Sequence, residues 1–159
     1  MANIPTTLYS IGHSNVAAER LIALLQQHSI RTLCDVRSTP YSRYNPQFNR
    51  EVLAATLHTN SITYHFMGDT LGGKPADGSQ PDYAYIAASP GFQHALNQLI
   101  DLAQRTPTAF MCGEADYHGC HRHRLIAAAL IERGAQVWHI MADGSCERGE
   151  IEPQQMRMF

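Results

Sequence analysis

TAFMCGEADYHGCHRHRLIAAALIERGAQVWHIM, residues 108–141, decides the fold. Its two ends, TAFMC (108–112) and QVWHIM (136–141), are short, β-prone and free of formal charge, as strands buried inside a parallel sheet are. Between them the apolar spacing over 121–132 is that of a helix, and Gly134 stands where helices commonly end. Two strands joined through a helix are parallel members of one sheet, because a parallel pair needs a long crossover connection.

The same alternation extends outward. TLYSIG (7–12) is a strand closed by Gly12, and Ser14 or Asn15 is placed to cap a helix that carries Glu19 in its first turn. Leu21, Leu24, Leu25 and His28 then recur at helical spacing within 16–28. TLCDV (32–36) is a second buried strand with Asp35 at its carboxyl end. RSTPYSRYNPQFN (37–49) has two prolines, two arginines and three aromatics without periodicity and reads as an ordered loop or lid before a helix from Arg50 to Thr59. ITYHFM (62–67) is a third strand, GDTLGGKPADGSQPDY (68–83) a second irregular loop or lid, and Phe92, Leu96, Leu99, Ile100 and Ala103 mark a helix from about Pro90. The pattern predicts a single α/β domain over 1–159: three layers, with a mostly parallel sheet of about five strands and helices on both faces.

Size and composition agree with one domain. The chain has 159 residues, 44% hydrophobic and 16% charged, enough apolar material for a core and too little charge for a disordered tail. The net charge of -2 excludes a generally basic nucleic-acid coat but leaves room for a local basic pocket. The longest purely apolar run, Leu125 to Ile131, falls far short of the roughly 20 residues that span a bilayer, so no membrane partner is expected. MANIPTTLYS (1–10) has no basic start and apolar stretch of a secretory signal, and Cys34, Cys112, Cys120 and Cys146 form no dense framework, which together predict a cytoplasmic protein with reduced thiols. TLGGK (70–74) lacks the GxxxxGK[ST] of a phosphate-binding loop, and no cofactor is expected. The sequence specifies no oligomeric state.

In open parallel sheets ligands bind outside the carboxyl ends of the strands. The residues that follow the strands are therefore the candidates: His13 and Ser14 after the first, Asp35, Arg37 and Arg43 after the second, Cys112 and Glu114 after the fourth, and Cys120, His121 and Arg122 at the next helix start. The bland reading makes Asp35 and Arg37 a structural ion pair, His13 a cap and the cysteines small core residues.

HRHR (121–124) places cations where the helix dipole disfavours them, so a negative group is expected nearby. Glu114 and Asp116 are one source, and a phosphate or other oxyanion held by N–H groups and Arg122 is another. The same position would lower the pKa of a thiol, which makes Cys120, and less directly Cys112, candidate nucleophiles. Cys112, His118, Cys120, His121 and His123 could in principle hold zinc, but their spacing matches no pair of zinc knuckles and no metal ligand is assigned. Tyr41, Tyr44 and Phe48 beside Arg37 and Arg43 could stack a base and hold a phosphate, or fold back on the core.

Taken together, YSIGHSN (9–15), DVRSTPYSRYNPQFN (35–49), TLGGK (70–74), MCGEADYHGCHR (111–122) and VWHI (137–140) resemble the bacterial and archaeal family catalogued as domain of unknown function 488. The resemblance covers nearly the whole chain and brings no activity with it. A weaker similarity is to rhodanese-like domains, in which Cys112 would be the nucleophile, Arg122 the helix start and Asp35 with Arg37 the DVR motif. Those domains close a short loop from cysteine to arginine, whereas here the two are ten positions apart.

Three functions follow as expectations. The first is a hydrolase or transferase acting on an anionic substrate such as a nucleotide or nucleic-acid end. Its candidate catalytic residues are Asp35, Glu114, Cys112, Cys120 and His13, and its substrate-binding residues Ser14, Arg37, Arg43, Tyr44, His121 and Arg122. The second is a non-catalytic module that binds a phosphate-bearing small molecule or nucleic acid through the same arginines. The third is a zinc-stabilised structural protein.

Overall fold

The computed structural model describes residues 5–73 and 79–151. Five parallel strands, β1 (Thr7–Gly12), β2 (Thr32–Asp35), β3 (Thr63–Phe66), β4 (Thr108–Cys112) and β5 (Gln136–Ile140), and an antiparallel β6 (Cys146–Arg148) form one sheet in the order β3-β2-β4-β1-β5-β6. The sheet thus has one strand more than the apolar pattern predicts. β6 is three residues long, polar and largely exposed, so it carries no hydrophobic signal; its charged Glu147 and Arg148 cover the edge of β5 against further pairing.

Successive residues of a strand point to opposite faces, and the buried strands obey this. Leu33, Ala109 and Met111 face a core built with the leucines of α1 (Ala18–Gln27) and α2 (Arg50–Thr59). Leu8, Cys34, Phe110 and Cys112 face the other core, covered by α4 (Tyr83–Ala88), which follows the short α3 (Gly68–Leu71), by α5 (Pro90–Arg105) and by the helix leading into β5. Helices on both faces of a mostly parallel sheet make the domain α/β and three-layered.

Two local expectations are corrected. Ser14 does not cap α1: it sits in a left-handed turn with φ 53°, and the residue before the helix is Ala17, which offers no side-chain cap. The turn leaving β1 uses up the residues that would have capped the helix. The stretch expected as one helix over 121–132 is a π-helix, Arg122–Ala127, that tightens into α6 (Ala128–Glu132). Five of its six π-helical residues are buried, two of them polar, so a regular amphipathic stripe was never available. Within 37–49 the chain is ordered around a 3₁₀ turn, Pro46–Phe48, anchored by buried Phe48. Of the second irregular stretch, 74–78 lie outside the described residues, and with them Lys74 of the TLGGK motif.

The connections position the site. The chain leaves β1 and β2 towards the face of α1 and α2, and leaves β4 towards the opposite face. β4 lies between β1 and β2, so its carboxyl end is flanked on both sides by strands that depart the other way. Such a reversal opens a crevice beyond the strand ends. Among the described residues no helix is long and apolar enough to cross a membrane.

Candidate active site

A cleft of about 260 Å³ opens at that reversal, lined by His13, Arg37, Ser38, Thr39, Tyr41, Ser42, Cys112, Gly113, Glu114, Cys120 and His121. The backbones that carry Arg37 and Glu114 into it are tightly packed. A Cβ on Gly12 would lie 1.6 Å from the carbonyl oxygen of Glu114, and one on Gly68 would lie 1.8 Å from that of Arg37, so only glycine lets these backbones meet.

The Asp35 carboxylate is fully buried and accepts four hydrogen bonds: from Arg37 Nε at 2.8 Å, Arg37 Nη2 at 2.7 Å, the Arg37 amide at 3.1 Å and the Tyr64 hydroxyl at 2.6 Å. This fork fixes the guanidinium and leaves Nη1 to donate to His13 Nε2 at 3.3 Å. His13 in turn donates from Nδ1 to the Ser14 carbonyl at 2.6 Å and packs against Phe48. Burial, reinforced by the Arg37 charge, holds His13 below the usual imidazole range, so Nε2 is an acceptor at neutral pH.

Opposite stand two thiols. Cys120 donates its S–H to Cys112 Sγ across 3.0 Å, and the His121 ring, held by Nε2 donating to the Val36 carbonyl at 3.0 Å, places Nδ1 3.7 Å from Cys120 Sγ. The hydrogen bond from Cys120, and after it the Arg122 guanidinium, hold Cys112 below the usual thiol range in spite of burial. Donating that bond and being buried push Cys120 up. The lowered thiol is therefore Cys112 at the strand end, and not Cys120 beside the helix.

Arg122 is fully buried and does not reach the cleft. Its Nη2 donates to the carbonyls of Glu114 and Ala115 at 3.0 and 3.2 Å, its Nη1 to Ser10 Oγ at 2.8 Å, and its Nε has no partner among the described residues. Ser10 passes the chain to His139 Nδ1, and His139 Nε2 donates to His123 Nδ1 at 3.1 Å. Burial, with the charges of Arg122 and His123, drives His139 to about 3. Among the described residues no carboxylate forms an ion pair with Arg122 of HRHR: Asp116 pairs with His118 at 2.7 Å and Glu114 is exposed on the rim. Backbone carbonyls and a hydroxyl meet the Arg122 charge instead.

The structure thus brings His13, Arg37, Cys112, Glu114, Cys120 and His121 around one cleft and sets Asp35 and Arg122 one layer behind it. Ser14 turns away and lines a separate small cavity with Val16 and Leu24. Arg43 and Tyr44 stay exposed outside the cleft, the guanidinium 5.0 Å over the Tyr44 ring, while Tyr41 and Ser42 of the same loop line it. Among the described residues no three His, Cys, Asp or Glu side chains are grouped to hold a metal. Sequence reasoning missed Tyr64 and His139, whose partners lie 29 and 129 residues away.

The model of the family described as domain of unknown function DUF488 matches residues 17–129, which include Asp35, Arg37, both thiols and Arg122 but not His13 or His139. No curated protein and no solved structure matches the chain, and the similarity to rhodanese-like domains finds no counterpart there. With 17–129 matched, the chain belongs to the DUF488 family.

Proposed function

We propose that the protein is a hydrolase or transferase that uses Cys112 as nucleophile on an anionic, phosphate-bearing substrate such as a nucleotide or nucleic-acid end. The observation that carries this reading is the place of the Cys112 thiol: at the end of the strand where the connections reverse, on a cleft, with Cys120 donating to its sulfur. A thiolate there attacks an electrophilic centre, and the bond from Cys120 and the buried Arg122 charge favour the thiolate before attack. Arg37, gripped by Asp35, meets the substrate's charge with Nη1, and as Nη1 turns from His13 to the substrate, His13 Nε2 is freed to accept a proton in the cleft. Glu114, exposed on the rim, is the carboxylate available to activate water for release of a covalent intermediate. Asp35, with its oxygens engaged by four donors, acts as a positioning residue.

At about 260 Å³ the cleft suits the reacting end of a substrate, with the remainder lying over the 41–44 loop. The exposed Tyr44 with Arg43 stacked on it favours a second reading, a module that binds a nucleic-acid end without turnover. A panel of nucleotides and phosphate esters incubated with the unaltered protein and with Cys112→Ala separates the two. Turnover by the unaltered protein that Cys112→Ala abolishes is the expected result. Equal turnover by both, or binding with no turnover, overturns the nucleophile reading.

A further inference from the structure

The two thiols of the cleft touch each other as well as facing its opening. Cys112 and Cys120 are eight positions apart in sequence, their sulfurs lie 3.0 Å apart, and both line the cleft. A disulfide needs about 2.05 Å between sulfurs, so closure asks for a relative movement of roughly 1 Å. The chain before Cys120 has room for it, since a Cβ on Gly119 would meet nothing within 4 Å. Cys34 differs on each count: it is fully buried, does not line the cleft, and is pushed up to about 12 by burial and by the Asp35 charge. Cys146 lies beside His28, at the far side of the sheet edge.

We propose that Cys112 and Cys120 are a dithiol–disulfide couple that a small disulfide entering the cleft converts into an internal bridge. In the first step the Cys112 thiolate attacks one sulfur of the incoming disulfide, forming a mixed disulfide and expelling one thiolate. In the second, Cys120 gives up its proton to that thiolate and attacks Cys112 Sγ, closing the bridge and expelling the second thiolate, which takes a proton from solvent. The dithiol is oxidised by two electrons and one external disulfide becomes two thiols. The bridge consumes the nucleophile of the cleft, and excess external thiol restores it. This inference shares Cys112 with the proposed function but holds whatever substrate the cleft accepts.

The test is incubation of the folded protein with glutathione disulfide at neutral pH, followed by intact mass and peptide mapping. The expected product has lost two hydrogens, keeps two titratable thiols, contains a Cys112–Cys120 linkage and returns to the starting mass with dithiothreitol. Cys120→Ser should stop at the first step and accumulate a glutathione adduct on Cys112, at least about tenfold above the unaltered protein. Should that variant fail to fold, the peptide map of the unaltered protein decides alone. A persistent adduct on Cys112 without the bridge, a bridge involving Cys34 or Cys146, or no reaction at all overturns the couple. Turnover that depends on Cys112 would survive such an outcome, so failure here and failure of the nucleophile reading remain distinct.

Discussion

The two faces of the sheet are built on different principles. Under α1 and α2 the chain buries Leu21, Leu25, Leu33, Leu53 and Leu57 against one another, at helical and strand spacing, with few polar groups between them. On the other face, between β4 and β5, it buries Arg122, His123 and His139 beside two thiols and links them by hydrogen bonds to Ser10 and to the backbone of the loop after β4. The first face gains stability chiefly from apolar area, with the cluster of buried Asp35 and Arg37 and half-buried Tyr64 at its carboxyl edge. The second, over an apolar core of its own that includes Phe92, Leu96, Leu99 and Phe110, gives up regular helix geometry and accepts a buried cation that holds a loop and a thiol in one arrangement. Substitutions on the two faces should therefore separate stability from thiol chemistry.

The largest stability effect belongs to the apolar face. Leu25, fully buried in the α1/α2 core, should cost about 2 to 5 kcal/mol as Leu25→Ala, measured by chemical denaturation. In conditions where that variant is folded, iodoacetamide should still modify Cys112 before Cys34. A change in that order would mean the two faces are mechanically coupled, and the comparison would fail.

Arg122→Gln acts on the other face. It leaves the carbonyls of Glu114 and Ala115 without their donors and removes the positive charge beside Cys112, at a cost of about 2 to 4 kcal/mol. Its distinguishing readout is the pH profile of Cys112 alkylation, which should move to higher pH as the thiolate loses that support. An unshifted profile would reduce Arg122 to a loop anchor.

Acid sensitivity sharpens the contrast further. His139 is held near 3 in the fold by burial and by Arg122 and His123, whereas in the unfolded chain an imidazole titrates near 6.5. Below about 6.5 the unfolded chain binds a proton that the fold refuses. Stability should then fall as pH drops from 6.5 towards 3, by at most about 1.4 kcal/mol per pH unit for this group, and so by about 2 kcal/mol at pH 5. His13, also held low, adds in the same direction. Denaturation midpoints across this range should fall, and His139→Gln should flatten the decline. The same slope in the variant would place the acid-sensitive group elsewhere.

The difference between the faces also explains what could be read in advance. Leu21, Leu24 and Leu25 announce α1, Arg50–Thr59 is α2 as expected, and the apolar runs give all five parallel strands, because periodic burial leaves a periodic trace. The rule that ligands gather beyond the strand ends points to His13, Arg37, Cys112 and Glu114 from sequence alone, and these four line one cleft. The π-helix has no such trace, since its buried positions do not follow the 3.6-residue period. Nor could spacing show that Arg122 faces the protein interior: an arginine at a helix start reads as a ligand for an anion, and only the nearby carbonyls of Glu114 and Ala115 turn it inward. Tyr64 sits on β3, an edge strand with partly exposed residues, and nothing in TYHF signals that its hydroxyl reaches Asp35 on the neighbouring strand.

That hydroxyl supports the smallest effect and the finest test of the cleft. Tyr64 donates to Asp35 Oδ2 at 2.6 Å, the oxygen that also receives Arg37 Nη2, and burial, followed by the bond to the carboxylate, makes the phenol harder to ionise. Tyr64→Phe removes one of four donors while leaving the ring in place. The loss should be about 1 kcal/mol, below the usual range for a bond to a charged group, because Arg37 continues to satisfy both carboxylate oxygens. If Asp35 acts only by holding Arg37, the variant should weaken binding of inorganic phosphate slightly and leave the pH profile of any turnover unchanged. If Asp35 were the general base, losing one of its four hydrogen-bond donors would act on the proton-accepting group itself and shift the acid limb of that profile. A shifted acid limb in Tyr64→Phe would therefore transfer the base from His13 to Asp35 and make the buried fork part of the chemistry.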